Sequence, residues 1–298
     1  MQGLLLINKP KDITSFGVVA KIKWLLHTKR VGHTGTLDPM ATGVLPIFVG
    51  RSTVLCSHIL DADKEYIATV KLGITTDTLD ITGNVISQKE CSVSREKLLE
   101  ILNGFLGEQL QVPPMYSALK KDGVRLYDLA REGKEIEREP RKIKIFELEL
   151  LSYSDDEFKI RVLCSKGTYI RSLADDIGKA LGTGAVLTAL QRTKTAGFKI
   201  EECVELDSLT PENINEFIKT PELAVLYYPE INVSLKQAER FSNGGELALE
   251  RLYFSKEYSN GEIYRVKCKE RFLGLGEVDS AKSALKIKCL TYHPSDDV

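Results

Sequence analysis

Apolar runs and their spacing predict an alternation of strands and helices along most of the chain. The unbroken stretch "GLLLINKP" reads as a buried strand stopped at Pro10, whose ring removes a ladder donor. Beyond Ser15, a predicted N-cap, Val18, Val19, Ile22, Leu25 and Leu26 recur at helical spacing, so one stripe turns inward and Lys21 and Lys23 stay on its flank. In "EYIATVKLG" the period changes to two, which puts Tyr66, Ala68, Val70 and Leu72 on the apolar face of a strand. Ser94 caps a predicted helix carrying Leu98, Leu99, Ile101, Leu102, Phe105 and Leu106, closed by Gly107. Strands are predicted around Ile143 to Leu151 and Phe158 to Cys164. In "SKGTYIRSLADDIGKALG", Gly167 permits a tight turn, and Ile170, Leu173, Ala174, Ile177 and Leu181 form a helical stripe closed by Gly182.

Two regions break this texture. From Gln111 to Ile145 the chain scatters lysines and arginines among two adjacent prolines, Tyr116 and Tyr127. Such a mixture suits a surface that stacks on bases and neutralises phosphates, or a polar excursion packed by its own tyrosines. From about Ile231, the segments "EIYRVKCK", "FLGLGEV" and "ALKIKCL" alternate between glycine and asparagine punctuation, which predicts a small all-β module.

Composition narrows the class. At 298 residues with 43% hydrophobic content, the chain exceeds the usual size of one domain and predicts one large domain plus a small one. Its apolar runs fall far short of the ~18 residues of a membrane span, and no segment resembles a signal peptide; the expectation is a cytoplasmic protein. Six cysteines without a C-x-x-C pair offer neither zinc nor disulfide spacing and predict reduced, structural thiols. The net charge of −1 points to no partner, but the first 51 residues hold seven lysines and arginines against Asp12 and Asp38. That is either a local basic surface or a solvated helix face.

Two charged residues stand out. Arg171 falls in the first turn of its predicted helix, where the macrodipole disfavours a cation; it is explained by a nearby anion or tolerated as a solvent-facing side chain. Asp38 lies in "GHTGTLDPMATGVLPI", Gly32 to Ile47, between Leu37 and Pro39, and taken alone it is a turn former.

The whole of "GHTGTLDPMATGVLP" resembles the catalytic motif of the pseudouridine synthases, in particular their bacterial tRNA pseudouridine-55 synthase branch, the TruB family. Four more segments are similar to that family in its own order: "LLLINKPKDITSF", "KEYIATVKLGITTDTLDITGNV", "QVPPMYSALKKDGVRLYDLAREG" and "SKGTYIRSLADDIG". The tail is similar to a PUA domain, an RNA-binding β-barrel. The resemblance implies an α+β pseudouridine synthase fold: a central mixed or antiparallel sheet flanked by helices, with an RNA-clasping insertion at about 111–142. It implies a catalytic domain over 1–229 and a PUA-like domain over 230–298. Two departures are visible: Met40 stands where a leucine is commoner, and Ala196 and Gly197 are arranged differently from the family's loop.

Residue by residue, the resemblance makes Asp38 the catalytic nucleophile, Tyr66 an active-site ring that stacks on uracil and is a candidate for proton transfer, and Arg171 the partner of Asp38. It places His33, Tyr169 and Leu190 against the extruded uridine and gives Lys9 a supporting role. A carboxylate nucleophile suits the chemistry, since cleaving a glycosidic bond and remaking a C–C bond in one pocket needs a covalently held intermediate. No metal or organic cofactor is implied. The implied partner is tRNA through its T-arm stem-loop, the target being uridine 55, flipped out of its stack. No membrane, no obligatory protein partner and a monomer are expected. Two alternatives remain: the same reaction on another RNA under a guide RNA, and a non-catalytic tRNA-folding chaperone.

Overall fold

The computed structural model describes residues 2–59, 62–117, 119–121, 123–134 and 136–293. The chain folds into two compact units, one from Met1–Asp38, Val44–Leu60 and Glu201–Val298, the other from Pro39–Gly43 and Asp61–Ile200. The fold is α+β, with large mixed pairing of strands and a curled, half-barrel sheet near the C-terminus.

The first unit opens with β1 (Gly3–Lys9), the expected buried strand, followed by α1 (Ser15–Leu25). The cap of α1 is Thr14, whose hydroxyl accepts from the Gly17 amide at 2.9 Å, and not Ser15. Adjacent hydroxyls satisfy the same capping pattern, and Ser15 is drawn instead to another stretch of chain. Strand β2 (Val31–His33) pairs antiparallel with β3 (Thr42–Val49). Val18, Val19, Ile22 and Leu25 of α1 pack on Leu5, Ile7, Leu45 and Ile47. Each such side chain, fully buried, stabilises by roughly 1.5–3 kcal/mol.

The second unit runs through β4 (Lys64–Leu72), the hairpin β5 (Ile74–Thr76) and β6 (Val85–Gln88), α2 (Arg95–Gly104) and β7 (Gly107–Gln111). Ser94 caps α2 as expected, accepting from Lys97 N at 3.3 Å. The helix stops at Gly104 rather than Gly107, because Gly107 already begins β7 and Gln109 Nε2 donates to the Phe105 carbonyl at 2.7 Å. The insertion holds a short hairpin, β8 (Lys120–Lys121) with β9 (Val124–Arg125), and α3 (Leu126–Arg131); its residues 118, 122 and 135 lie outside the described residues. Tyr116 and Tyr127 pack edge to face there, 6.2 Å apart. Long strands β10 (Arg141–Tyr153) and β11 (Glu157–Cys164) precede α4 (Ile170–Ala180) and β12 (Ala185–Thr195). In this unit the sheet order is β12-β4-β11-β10-β7, antiparallel throughout, and β12 also pairs parallel with Thr42 and Gly43. At the departure noted above, Ala196 and Gly197 both take positive φ, 53° and 83°, and form the two-residue turn into β13 (Phe198–Lys199).

Back in the first unit, β14 (Val204–Glu205) lies parallel to β1. The C-terminal segment is not all-β. Between β15 (Glu230–Asn232) and β16 (Leu247–Ala248) it carries α5 (Leu235–Ser242), started by a capping box of Ser234 and Gln237. Strands β17 (Ile263–Cys268), β18 (Arg271–Asp279) and β19 (Ala284–Leu290) match the three alternating segments, and the sheet order is β15-β17-β18-β19-β16. Phe241, Tyr264, Val266 and Leu285 fill its core. Among the described residues no helix is long and apolar enough to cross a membrane. All six cysteines are free, and burial pushes Cys164 and Cys203 up to about 12 and Cys56 and Cys289 to about 11.

Candidate active site

In the first unit, the acid at the centre of the glycine-rich motif is held from behind. Ser15, buried at the start of α1, accepts from the Leu37 amide at 2.9 Å and donates to the Leu37 carbonyl at 3.1 Å. Both backbone polar groups of Leu37, the residue before Asp38, are thereby engaged, and Asp38 itself is half-buried. Upstream, His33 ends β2 opposite Ile47 and is also half-buried. Lys9 is fully buried, with Nζ donating to the carbonyls of Pro10 at 2.9 Å and Ile13 at 2.7 Å. It therefore fixes the turn that leads into α1.

In the second unit, the strand period does what the sequence predicts: Tyr66, Ala68, Val70 and Leu72 alternate inward along β4. Tyr66 is 6% exposed and sits between Val162 of β11 and Arg192 of β12. Leu190 is opposite Ala68, so Leu190, Arg192 and Tyr66 share one face of the sheet. Arg192 was not a candidate from sequence, yet it is 1% exposed, the largest fully buried side chain here. A cation in an alternating strand, two positions from the apolar Leu190, was the signal available.

Gly43 explains one glycine of the motif. It pairs with Arg192 at φ +108°, and a Cβ there would lie 2.2 Å from the Arg192 carbonyl oxygen. Backbone against backbone cannot yield cheaply. Gly43→Ala is expected to lower stability by about 2–4 kcal/mol, read as a drop in the midpoint of urea unfolding. An unchanged midpoint would show that β3 and β12 tolerate separation at this pair.

Arg171 answers the conflict posed by its helix position. It is buried in the first turn of α4, and its guanidinium meets acceptors from distant segments, among them the Thr78 carbonyl at 3.1 Å, the Tyr116 carbonyl at 2.8 Å and Asp80 Oδ2 at 3.5 Å. Asp80 is an anion of the kind the macrodipole argument asked for. It is 4% exposed, and its Oδ1 accepts from the Thr78 hydroxyl at 2.9 Å, the Thr82 hydroxyl at 2.5 Å and the Thr82 amide at 3.0 Å. The turn that carries it is strained, with Leu79 at φ +63°, and is pinned to β12 because the Ile81 amide donates to the Leu187 carbonyl at 2.9 Å. Sequence gave only a weak sign of Asp80, an acid in the threonine-rich run "TTDTLDITGN".

The root of the insertion is tied to the same helix. Gln111 is 3% exposed and clamps Tyr169, accepting from its amide at 2.8 Å and donating to its carbonyl at 3.1 Å. Ser172 Oγ donates to the Val112 carbonyl at 3.1 Å, and Tyr116 receives Arg171 as described. Hydrogen bonds from one stretch of chain, at Gln111, Val112 and Tyr116, thus bracket the α4 N-terminus, where Tyr169 stands half-buried as the N-cap residue. The structure therefore gathers Tyr66, Leu190 and the unpredicted Arg192 on one sheet face, and Arg171 with Tyr169 and the unpredicted Asp80 and Gln111 around one helix end.

Comparison with known proteins decides the family. Residues 23–170 match the model of the "TruB family pseudouridylate synthase (N terminal domain)", and residues 171–223 match the "tRNA pseudouridylate synthase B C-terminal domain". The chain belongs to the TruB family of pseudouridylate synthases. It is an RNA pseudouridine synthase, an isomerase. TruB relatives are similar along nearly the whole length: tRNA pseudouridine synthase B of Clostridium tetani is 46% identical, over 96% of this chain and 98% of its own. The Francisella tularensis protein of the same name is 46% identical, over 95% of this chain and 93% of its own. Among solved structures, an H/ACA RNP bound to a substrate RNA containing 2'-deoxyuridine aligns with a TM-score of 0.73 at 25% identity, covering 97% of this chain and 85% of that one. An archaeal box H/ACA sRNP Nop10-Cbf5 complex aligns with a TM-score of 0.72 at 26% identity, over 98% and 86%. The TruB motif quoted from Gly32 to Ile47 lies within the first matched segment.

Proposed function

We propose that this TruB-family enzyme isomerises uridine 55 in the T loop of tRNA to pseudouridine, acting alone on the T-arm stem-loop as a monomer in the cytoplasm. The single observation that carries this reading is the near full-length 46% identity to enzymes named tRNA pseudouridine synthase B. In the proposed mechanism Asp38 is the nucleophile that holds the intermediate while the N1–C1′ bond breaks, the uracil turns and a C5–C1′ bond forms. The proton displaced from C5 and the proton gained by N1 balance, so no redox partner enters. Arg171, fixed by Asp80, pairs with Asp38 and keeps it ionised as water is excluded. Tyr66 stacks on the uracil and is the candidate for moving the proton. His33, Tyr169 and Leu190 line the extruded nucleotide, and Lys9 supports the loop before α1. Residues 1–229 form the catalytic domain in this reading, with the insertion at about 111–142 clasping the RNA.

The segment 230–298 acts in this reading as a PUA-like RNA-binding module. Charge reversal of Lys269 and Arg271, at the turn between β17 and β18, is then expected to raise KM for tRNA about tenfold with kcat unchanged. Unaltered KM would remove the role.

The likeness to H/ACA complexes favours one other reading, the same reaction on a guide-selected RNA with protein partners. Purified enzyme given a bare T-arm stem-loop tritiated at uridine C5 separates the two. Release of tritium at the position of uridine 55 supports the stand-alone reading; silence without added guide RNA overturns it.

A further inference from the structure

Helix α4 begins against the rules that govern helix starts. Its N-cap position carries Tyr169, whose side chain makes no capping bond, and its first turn holds Arg171 and no acid. Serine, threonine, asparagine or aspartate would cap this helix through an oxygen close to the backbone, which a tyrosine lacks. Local rules are broken mostly at functional sites, where a compensating contact comes from elsewhere in the fold. For Arg171 the compensation is Asp80 with the Thr78 and Tyr116 carbonyls. For Tyr169 it is Gln111, 58 residues away in sequence.

The clamp determines direction as well as place. One planar side-chain amide accepts from the Tyr169 N–H at 2.8 Å and donates to the Tyr169 carbonyl at 3.1 Å. It thereby holds the peptide planes on both sides of the Tyr169 Cα, and with them the direction in which the side chain leaves the backbone. The anchor is rigid. Gln111 is 3% exposed and ends β7 opposite Arg141 of β10, and the buried Pro113 and Pro114 that follow have fixed φ. Attachment of this stretch to α4 has other sources, since Ser172 Oγ donates to the Val112 carbonyl and Arg171 to the Tyr116 carbonyl. What Gln111 adds is the orientation of Tyr169.

We infer that Gln111 is a positioning residue for the reaction: its side-chain amide aims the Tyr169 ring at the extruded uridine, so that the root of the insertion sets the shape of the nucleotide pocket. The inference rests on the reading above in which Tyr169 lines that nucleotide, and it adds a residue that acts through Tyr169. Gln111→Met fills nearly the same volume and removes both bonds. The experiment compares it with Tyr169→Ala and with the double variant, using the full chain and tRNA transcript tritiated at uridine C5. Single-turnover tritium release gives the rate, filter binding gives Kd, and urea unfolding gives stability. Gln111→Met is expected to slow single turnover about thirtyfold with Kd within about threefold of wild type, and Tyr169→Ala to slow it about a hundredfold. The double variant is expected within about threefold of Tyr169→Ala, because a ring that is absent cannot be misaimed. The urea midpoint behaves otherwise: Gln111→Met lowers it equally in both backgrounds, since alanine keeps the backbone groups that Gln111 binds. Ser172→Ala removes the neighbouring tie without touching Tyr169, and its rate is expected within about twofold of wild type. Should Gln111→Met not fold, Gln111→Glu keeps the acceptor for the Tyr169 amide and removes the donor to its carbonyl, with the same pattern expected at about tenfold slowing.

A wild-type rate in folded Gln111→Met or Gln111→Glu overturns the inference. So does an equal slowing by Ser172→Ala, or a double variant slower than Tyr169→Ala by the full factor seen for Gln111→Met alone; either would make Gln111 a support of the whole site and not of one ring. Full turnover in Tyr169→Ala defeats the placement of Tyr169 against the uridine, and the inference with it. Absent tritium release from uridine 55 by the wild type defeats the functional reading itself, whereas normal release together with an indifferent Gln111→Met defeats only the role of Gln111.

Discussion

Asp38→Asn is expected to abolish pseudouridine formation, by at least about 10⁴-fold, while tRNA affinity stays within about tenfold of wild type. The substitution keeps the size and the hydrogen-bonding reach of the side chain but replaces the anionic oxygen of a carboxylate with a neutral, weakly nucleophilic amide. The loop should hold its shape, since Ser15 grips Leu37 through the backbone and makes no demand on residue 38. Affinity is expected to survive because phosphate and loop contacts dominate RNA binding. The measurement is tritium release from C5 in single-turnover conditions, together with a filter-binding isotherm. Turnover at even a hundredth of the wild-type rate would exclude Asp38 as the nucleophile.

Arg171→Ala is expected to lose both turnover and stability. Removing the guanidinium leaves Asp80 buried with its three threonine donors but without a cation, and frees the carbonyls of Thr78 and Tyr116. Breaking a buried pair by deleting one partner costs about 3 kcal/mol or more. Since unfolding could mimic a catalytic defect, Arg171→Lys supplies the control. An ammonium restores charge beside Asp80 but cannot reach three acceptors in a planar fork. Stability should therefore recover in large part, with turnover still down about a hundredfold from misplacement. Equal stability of wild type and Arg171→Ala would mean that the three contacts are dispensable.

The readable parts of the fold are those governed by local period. The two-residue alternation of β4 placed Tyr66 inward, and the helical stripe of α4 put Arg171 in its first turn; both rest on backbone geometry that acts within a few residues. What escaped is what depends on distant partners. Thr14 and Ser15 are interchangeable as caps in sequence, and only Leu37, twenty-two residues on, decides which hydroxyl is diverted. Asp80, Gln111 and Arg192 carry at most a weak local mark of burial, because each is buried by segments that arrive from elsewhere in the chain. Helix α5 escaped as well: Ser234 and Gln237 form its capping box, but eight residues are few for a periodic signal against the surrounding strands.

The guanidinium at the head of α4 closes contacts across sequence separations of 93 and 55 residues. Such long loops are closed late, after short-range hairpins and helix turns have formed. The pairing of β4 with β12 spans longer separations still, 113 residues from Leu72 to Ala185, so the ties that fix Arg171 are completed only with the tertiary fold and by no local element.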